Sequence, residues 1–298
     1  MDTKLRTFLT VARKASFSAA ARELHLSQPA VSMQIQQLEE QYGVRLFDRL
    51  DRGIKLTPAG VIFQGYAREI LAMYEGARSE LMRCSGRIMG DLHIGATLTL
   101  GGYVLPRMMG LFKHKYPEVN LLLQVDNTEL IVRSLADETY DICFIEGPFQ
   151  HPKIKKEFLA EDELVLAVST KHPWATRKSV SVPELLEEKL VLREPGSGTR
   201  EVFKDALEEA GYAWDKVPIY LELGSTEAIK SLIKLNLGVT VISRWIIQED
   251  INCKCIQALS VDGLELIRNF VIARRRKHPL SPQAEAFIEF CVADMSSK

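Results

Sequence analysis

The tightest constraint on the fold is the run Ser27-Gln28-Pro29-Ala30-Val31-Ser32-Met33-Gln34-Ile35-Gln36-Gln37-Leu38-Glu39. Ser27 is a good N-cap, and a proline in the first helical turn removes an N–H that would be unpaired there anyway, so the run predicts a helix from Gln28. Val31, Ile35, Leu38 and Tyr42 recur on one helical face, which leaves Gln28, Ser32 and Gln36 stacked four apart on another that is polar and uncharged. Phe17 to Leu24 predicts a short preceding helix capped by Ser18, and His25-Leu26 leaves room only for a tight turn. Helices joined this closely make either a helical hairpin of an ordinary core or a helix-turn-helix whose second helix enters the DNA major groove. Glutamine pairs bidentately with an adenine edge, serine with several bases, and an apolar group meets a thymine methyl. The candidate base-reading set is therefore Ser27, Gln28, Pro29, Ser32, Met33 and Gln36.

Further motifs surround this run in order: Ser16-Phe17-Ser18-Ala19-Ala20-Ala21, Gln37-Leu38-Glu39, Gly43-Val44-Arg45-Leu46-Phe47-Asp48-Arg49 and Leu56-Thr57-Pro58-Ala59-Gly60. Their density and spacing resemble the N-terminal domain of LysR-type transcriptional regulators, and the remaining length and layout are similar to that family's effector-binding region. The resemblance implies an all-α winged helix-turn-helix over residues 1–58, a linker and dimerisation helix over 59–89, and a two-lobed α/β domain, periplasmic-binding-protein-like, over 90–298. More weakly, Ser32-Met33-Gln34-Ile35 and Pro195 to Arg200 are similar to members controlling sulfur assimilation or carbon fixation.

The chain's net charge of −1 does not by itself suggest a DNA binder. Divided along the chain it does: residues 1–90 hold 13 basic and 9 acidic residues, a net of +4, and residues 91–298 hold 25 and 30, a net of −5. The basic excess lies with the helix-turn-helix, and phosphate contacts are expected from a few groups such as Arg45, Arg49, Arg52 and Lys55. Arg45 to Phe47 and Ile54 to Leu56 predict wing strands. Arg52, at the tip between them, either reaches the minor groove or phosphate or is an ordinary surface arginine.

Pro58 opens a long helix to about Cys84 whose apolar residues Ile62, Phe63, Ala67, Ile70, Leu71, Tyr74, Ala77 and Leu81 form a stripe. Such a stripe must be covered, either by a second copy of itself or by the chain's own C-terminal domain. A twofold dimer presents two recognition helices to an interrupted palindrome in double-stranded promoter DNA. The family resemblance implies this dimer, a tetramer beyond it, and RNA polymerase as a partner if the protein activates.

No apolar run approaches the roughly 18 residues of a membrane span and the N-terminus does not read as a signal peptide, so a cytoplasmic location is expected. The cysteines at positions 84, 143, 253, 255 and 291 form no CxxC pair, and the six histidines show no ligand spacing, so neither metal nor cofactor is expected. No nucleophile elbow, Walker loop or dinucleotide fingerprint is present, and the chain is not expected to be an enzyme.

From Asp91 the pattern alternates between strands and helices, with crossings expected near Val165 to Ser169 and Leu266 to Ala273. That gives lobe I as about 90–164 and 268–298 and lobe II as about 165–267. Ligands of open α/β sheets sit at strand C-termini against helix N-termini. Three stretches fit: Gly95 to Thr99, Glu194 to Arg200, and Gly224-Ser225-Thr226. Their glycines, hydroxyls and arginine describe a site for a small anion, with Thr97, Leu98, Thr99, Glu146, Gly196, Ser197, Thr199, Arg200 and Thr226 as candidates. Several of the hydroxyls also suit ordinary N-caps. Glu146 is out of place beside an anion unless it binds an amine, pairs with Arg200 or points away. A neutral or amine-bearing effector, and a DNA-binding protein with no ligand, remain the alternatives.

Overall fold

The structure, a computed structural model, describes residues 2–49, 53–85, 87–276 and 278–296. It divides into two compact units, residues 1–86 and 87–298, each described here by itself.

The first unit contains α1 (Asp2–Lys14), α2 (Phe17–Glu23), α3 (Gln28–Tyr42), the paired strands β1 (Phe47–Arg49) and β2 (Ile54–Leu56), and α4 (Pro58–Ser85). Ser27 caps α3 through Ala30 N, and Gly43 ends it in the left-handed region at φ 68°. The cap of α2 is Ser16, whose Oγ accepts from Ala19 N, and not Ser18, because the helix already begins at Phe17. The first wing strand starts at Phe47 rather than Arg45. Phe8, Leu5, Val11, Val31, Ile35, Leu38 and Leu46 form the unit's core, with Phe63 and Leu71 of α4 against it.

Several motif residues are framework. Glu39 Oε1 accepts from Leu46 N at 2.7 Å and Phe47 N at 3.2 Å, fastening the wing to α3. Thr57 Oγ1 donates to Arg45 O at 2.7 Å and accepts from Gly60 N at 2.9 Å. A Cβ on Gly60 would lie 2.1 Å from Leu46 O, so glycine is required there by close backbone approach.

The second unit is built on one eight-stranded mixed sheet, ordered β4-β3-β5-β12-β6-β11-β7 with β10 also on β6. Its strands are β3 (Gly90–Thr97), β4 (Val119–Asp126), β5 (Ile142–Glu146), β6 (Ile154–Ser169), β7 (Ser179–Ser181), β10 (Thr240–Ser243), β11 (Ile256–Asp262) and β12 (Ile267–Arg275). A separate parallel pair joins β8 (Leu190–Arg193) to β9 (Ile219–Leu223). The helices are α5 (Leu105–Lys115), α6 (Thr128–Ala136), α7 (Val182–Leu186), α8 (Gly198–Glu209), α9 (Thr226–Lys234), α10 (Arg244–Asn252) and α11 (Pro282–Ser296). A π-helical turn, Leu100–Val104, leads into α5.

β6 serves both halves of the unit. Residues 154–163 pair with β12 beside β3, β4 and β5, while 164–169 pair with β10 and β11. Where the halves meet, Leu164 N donates to Leu266 O at 2.8 Å, so the two crossing segments are bonded to each other. Each half has its own core, one around Phe112, Phe144, Phe270 and Phe287, the other around Leu166, Leu190, Phe203 and Val241. Lobe I and lobe II below mean these halves.

Candidate functional site

The outward face of α3 carries Gln28, Pro29, Met33 and Gln36, all exposed, with Ser32 half-buried among them. Met33 is 56% exposed, a large apolar side chain left in water at the centre of this face. Gln28 Nε2 donates to Ser32 Oγ at 3.3 Å and Gln36 Nε2 to Glu40 at 2.8 Å, weak surface bonds that a base edge can replace. Gln34 differs, because Thr7 Oγ1 donates to its Oε1 at 2.7 Å and ties it to α1. Ser27 Oγ is committed to its cap. Arg52 and the side chain of Arg49 lie outside the described residues; Arg45 and Lys55 are exposed.

In the second unit two of the predicted hydroxyls, Thr99 and Thr199, meet at a residue that the sequence reading missed. Arg268 on β12 sends Nη2 to Thr99 Oγ1 and Nη1 to Thr199 Oγ1, each at 3.0 Å, and so bridges the two lobes. Its Nε donates to Asp162 Oδ2 on β6 at 2.7 Å. Ser243, at the start of α10, donates to Asp162 Oδ1 at 2.6 Å. Arg268 is buried to 5% residual exposure, and removing such a cation from water costs several kcal/mol, offset only where good partners remain. Burial pushes the Asp162 carboxyl above its ordinary range, against the opposing pull of Arg268 and Ser243. The signal for Arg268 was present in the sequence: strand alternation places it on the same side as Phe270 and Ile272, both fully buried.

Glu146 neither pairs with Arg200 nor stands open to the cleft. Its Oε1 accepts from Thr99 N at 3.2 Å and Thr99 Oγ1 at 2.7 Å, and its Oε2 from Leu100 N at 3.2 Å. It lies 3.7 Å from Arg268 Nη2. Thr97 is committed to the framework, accepting from Glu146 N at 3.0 Å, and Leu98 is half-buried.

Arg200 turns away from the cleft. Its Nη1 donates to Arg193 O at 2.8 Å and pairs with Glu222, and its guanidinium lies over the Trp214 ring, whereas the cation between Thr99 and Thr199 is Arg268. Ser197 is buried at the N-cap of α8, but its hydroxyl makes no capping bond. Among the described residues no acceptor meets the N–H groups of Gly198, Thr199 and Arg200, so this helix start presents unpaired donors and a positive dipole end. Gly196, at φ 82°, packs on Glu129, and a Cβ on Gly198 would stand 2.4 Å from Glu146 O. A groove of about 670 Å³ runs from the first turn of α8, at Gly198 and Glu201, along α6 to Phe149 and His151; Arg268, Thr99 and Thr199 do not line it. Thr226 Oγ1 is buried with no hydrogen-bond partner among the described residues, while Ser225 caps α9 through Ala228 N.

A second bridge joins the lobes at Tyr103, whose hydroxyl donates to Glu227. Lys230 lies over the Tyr103 ring at 5.4 Å and 2.9 Å from Asp250 Oδ2. Burial, then Glu227, raises the Tyr103 pKa, and the Tyr103 bond holds the Glu227 carboxyl below its ordinary range.

A winged helix-turn-helix joined to a two-lobed domain with a polar cleft defines a ligand-responsive DNA-binding protein. Residues 3–61 match the bacterial regulatory helix-turn-helix protein family, lysR type, and residues 85–296 match the LysR substrate binding domain. The chain is 34% identical over 291 residues to the RuBisCO operon transcriptional regulator of Allochromatium vinosum, covering 98% of this chain and 95% of that one. Its fold matches the regulatory domain of CcmR from Synechocystis PCC6803 in complex with 2-PG, at TM-score 0.64 and 26% identity over 70% of this chain and 98% of that one. Full-length CbnR complexed with its target DNA shares the fold at TM-score 0.57 and 24% identity, over 99% of each chain. The chain belongs to the LysR family of transcriptional regulators. Between sulfur assimilation and carbon fixation, its relatives named for RuBisCO operons match the carbon-fixation group. No described helix is long and apolar enough to cross a membrane.

Proposed function

We propose that this regulator controls carbon-fixation genes by binding promoter DNA as a homodimer, assembled further into a tetramer, and that a small phosphorylated or carboxylated anion bound between the lobes changes how it holds that DNA. The observation that carries the reading is Arg268, a buried cation bonded at once to Thr99 of one lobe and Thr199 of the other, beside the unpaired N–H groups of α8. An anion at that helix start gains charge-assisted bonds from both lobes and favours their closure. A CcmR domain that holds 2-PG supports the same chemistry. Glu146 is committed to Thr99 and Leu100, which removes the group that would have favoured an amine.

Gln28, Ser32, Met33 and Gln36 read bases, and Arg45, Arg49, Arg52 and Lys55 hold phosphates. The exposed residues Ile62, Tyr66, Ile70, Met73, Tyr74 and Leu81 on α4 form the dimer contact. The protein acts in the cytoplasm, contacts RNA polymerase where it activates, and carries out no reaction.

DNase footprinting on the promoter of the chain's own gene and its divergent neighbour, with and without 2-phosphoglycolate, ribulose bisphosphate, sulfate and thiosulfate, tests this reading. An interrupted palindrome whose protection changes with one carbon anion is expected. Protection indifferent to every anion would remove the effector assignment, and no protection would remove promoter binding. Thr199→Ala should keep the effector-free footprint and lose the response.

A further inference from the structure

The two lobes offer the cleft unequal helix starts. In lobe II the first N–H groups of α8 meet no acceptor among the described residues. In lobe I the equivalent donors, Thr99 N, Thr99 Oγ1 and Leu100 N, all end on the carboxylate of Glu146. That carboxylate is buried, and its backbone is held on both sides, by Thr97 Oγ1 at 3.0 Å and Thr128 Oγ1 at 2.9 Å. The chain has therefore filled one of its own anion positions with a side chain. Arg268 stands between this carboxylate, 3.7 Å away, and Asp162, 2.7 Å away, so one cation serves two internal anions.

We propose that Glu146 is the specificity-determining residue of the cleft: a resident anion that competes with the effector for Arg268 and the lobe I donors, and so holds the affinity for anions low. The inference rests on the anionic-effector reading above. A bound anion docks from the α8 side and shares Arg268 with Glu146 across the cleft. A unit charge about 6 Å from a bound anion, at an effective dielectric between about 20 and about 40, shifts its affinity by roughly a hundredfold down to tenfold. Glu146 thereby sets the concentration at which the regulator responds, and weakens the hold of ubiquitous small anions that make few other contacts.

Calorimetric titration of the full-length protein with inorganic phosphate and with 2-phosphoglycolate, at low ionic strength, tests this on wild type, Glu146→Gln and Glu146→Asp. Glu146→Gln should bind both anions about tenfold tighter, with the gain shrinking as salt is raised, whereas Glu146→Asp, which keeps the charge, should show no gain. A gain that shrinks with salt and is absent from Glu146→Asp separates loss of the charge from a loosened fold, and circular dichroism melts identify a variant that fails to fold. In that event Asp162→Asn, which removes the other internal charge on Arg268, should tighten binding in the same sense. Wild-type binding with no gain in folded Glu146→Gln, or an equal gain in Glu146→Asp, overturns the role of Glu146 alone. No binding of either anion by wild type or any variant overturns it together with the anionic-effector reading.

Discussion

At the scale of single residues, removing Arg268 alone differs from removing it together with its acid partner. Arg268→Met leaves the buried Asp162 carboxylate without its cation, and breaking such a pair costs about 3–5 kcal/mol. The double variant Arg268→Met/Asp162→Leu should recover most of that loss while still failing to bind anions. Urea unfolding of the three proteins measures this; equal stability of the single and double variants would show that the pair is not the source. A surface example runs through pH. Glu184 accepts from Arg177 and from Ser181 N and Oγ, and the Arg177 bond, first among these, lowers its carboxyl to about pH 2. The lowered value means that this cap is intact above the ordinary glutamate range, near pH 4.5, and is lost as pH falls through about 2. Side-chain NMR titration should find Glu184 there, and Arg177→Ala should move it back toward 4.5.

At the scale of elements, the first turn of α3 sets the Ser27 cap beside the base-reading residues proposed above. Ser27→Ala should cost about 1 kcal/mol of unfolding free energy through the lost cap. Gln28→Ala or Ser32→Ala should leave stability nearly unchanged and cost about 1–3 kcal/mol against the preferred operator. Gel shifts on specific and random duplexes separate the two, and equal losses on both would show that these side chains do not read bases. The same contrast explains what was legible beforehand. Helices with strong caps and periodic faces, such as α3, α6 and α9, stand out in the sequence within a residue or two of their ends. The first half of β6 did not, because Lys155, Lys156, Glu157, Glu161, Asp162 and Glu163 hide a central strand behind charge; of these, only Asp162 is buried. β7 is three residues long, and α10 and β11 follow β10 too closely for the pattern to separate. In the cleft, local turn chemistry pointed to Thr99, Ser197 and Thr199. It could not reach Arg268, whose neighbours Thr99 and Thr199 lie 169 and 69 positions away, nor could it show that Arg200 would swing onto Glu222.

At the scale of the whole molecule, α4 leaves large apolar side chains in water, Met73 at 76% exposure and Leu81 at 72%. The dimer proposed above covers them, so Tyr66→Glu/Met73→Glu should yield monomers in sedimentation experiments with helix content retained and operator affinity sharply reduced. Retained dimers would move the contact elsewhere. The lobes of the second unit, in turn, are not joined by slack loops. They share the 16-residue strand β6, and the returning segment is bonded to it through Leu164 and Leu266. Paired strands already twist about their own length, by roughly 20–25° between neighbours and more in two-stranded ribbons, so rotation along the ribbon extends a deformation that its hydrogen bonds already accommodate. In the closure proposed above, the shared ribbon acts as a torsion bar: the lobes rotate by twisting it, and because its ladder stays bonded the angle is limited and the twist is stored as a restoring force.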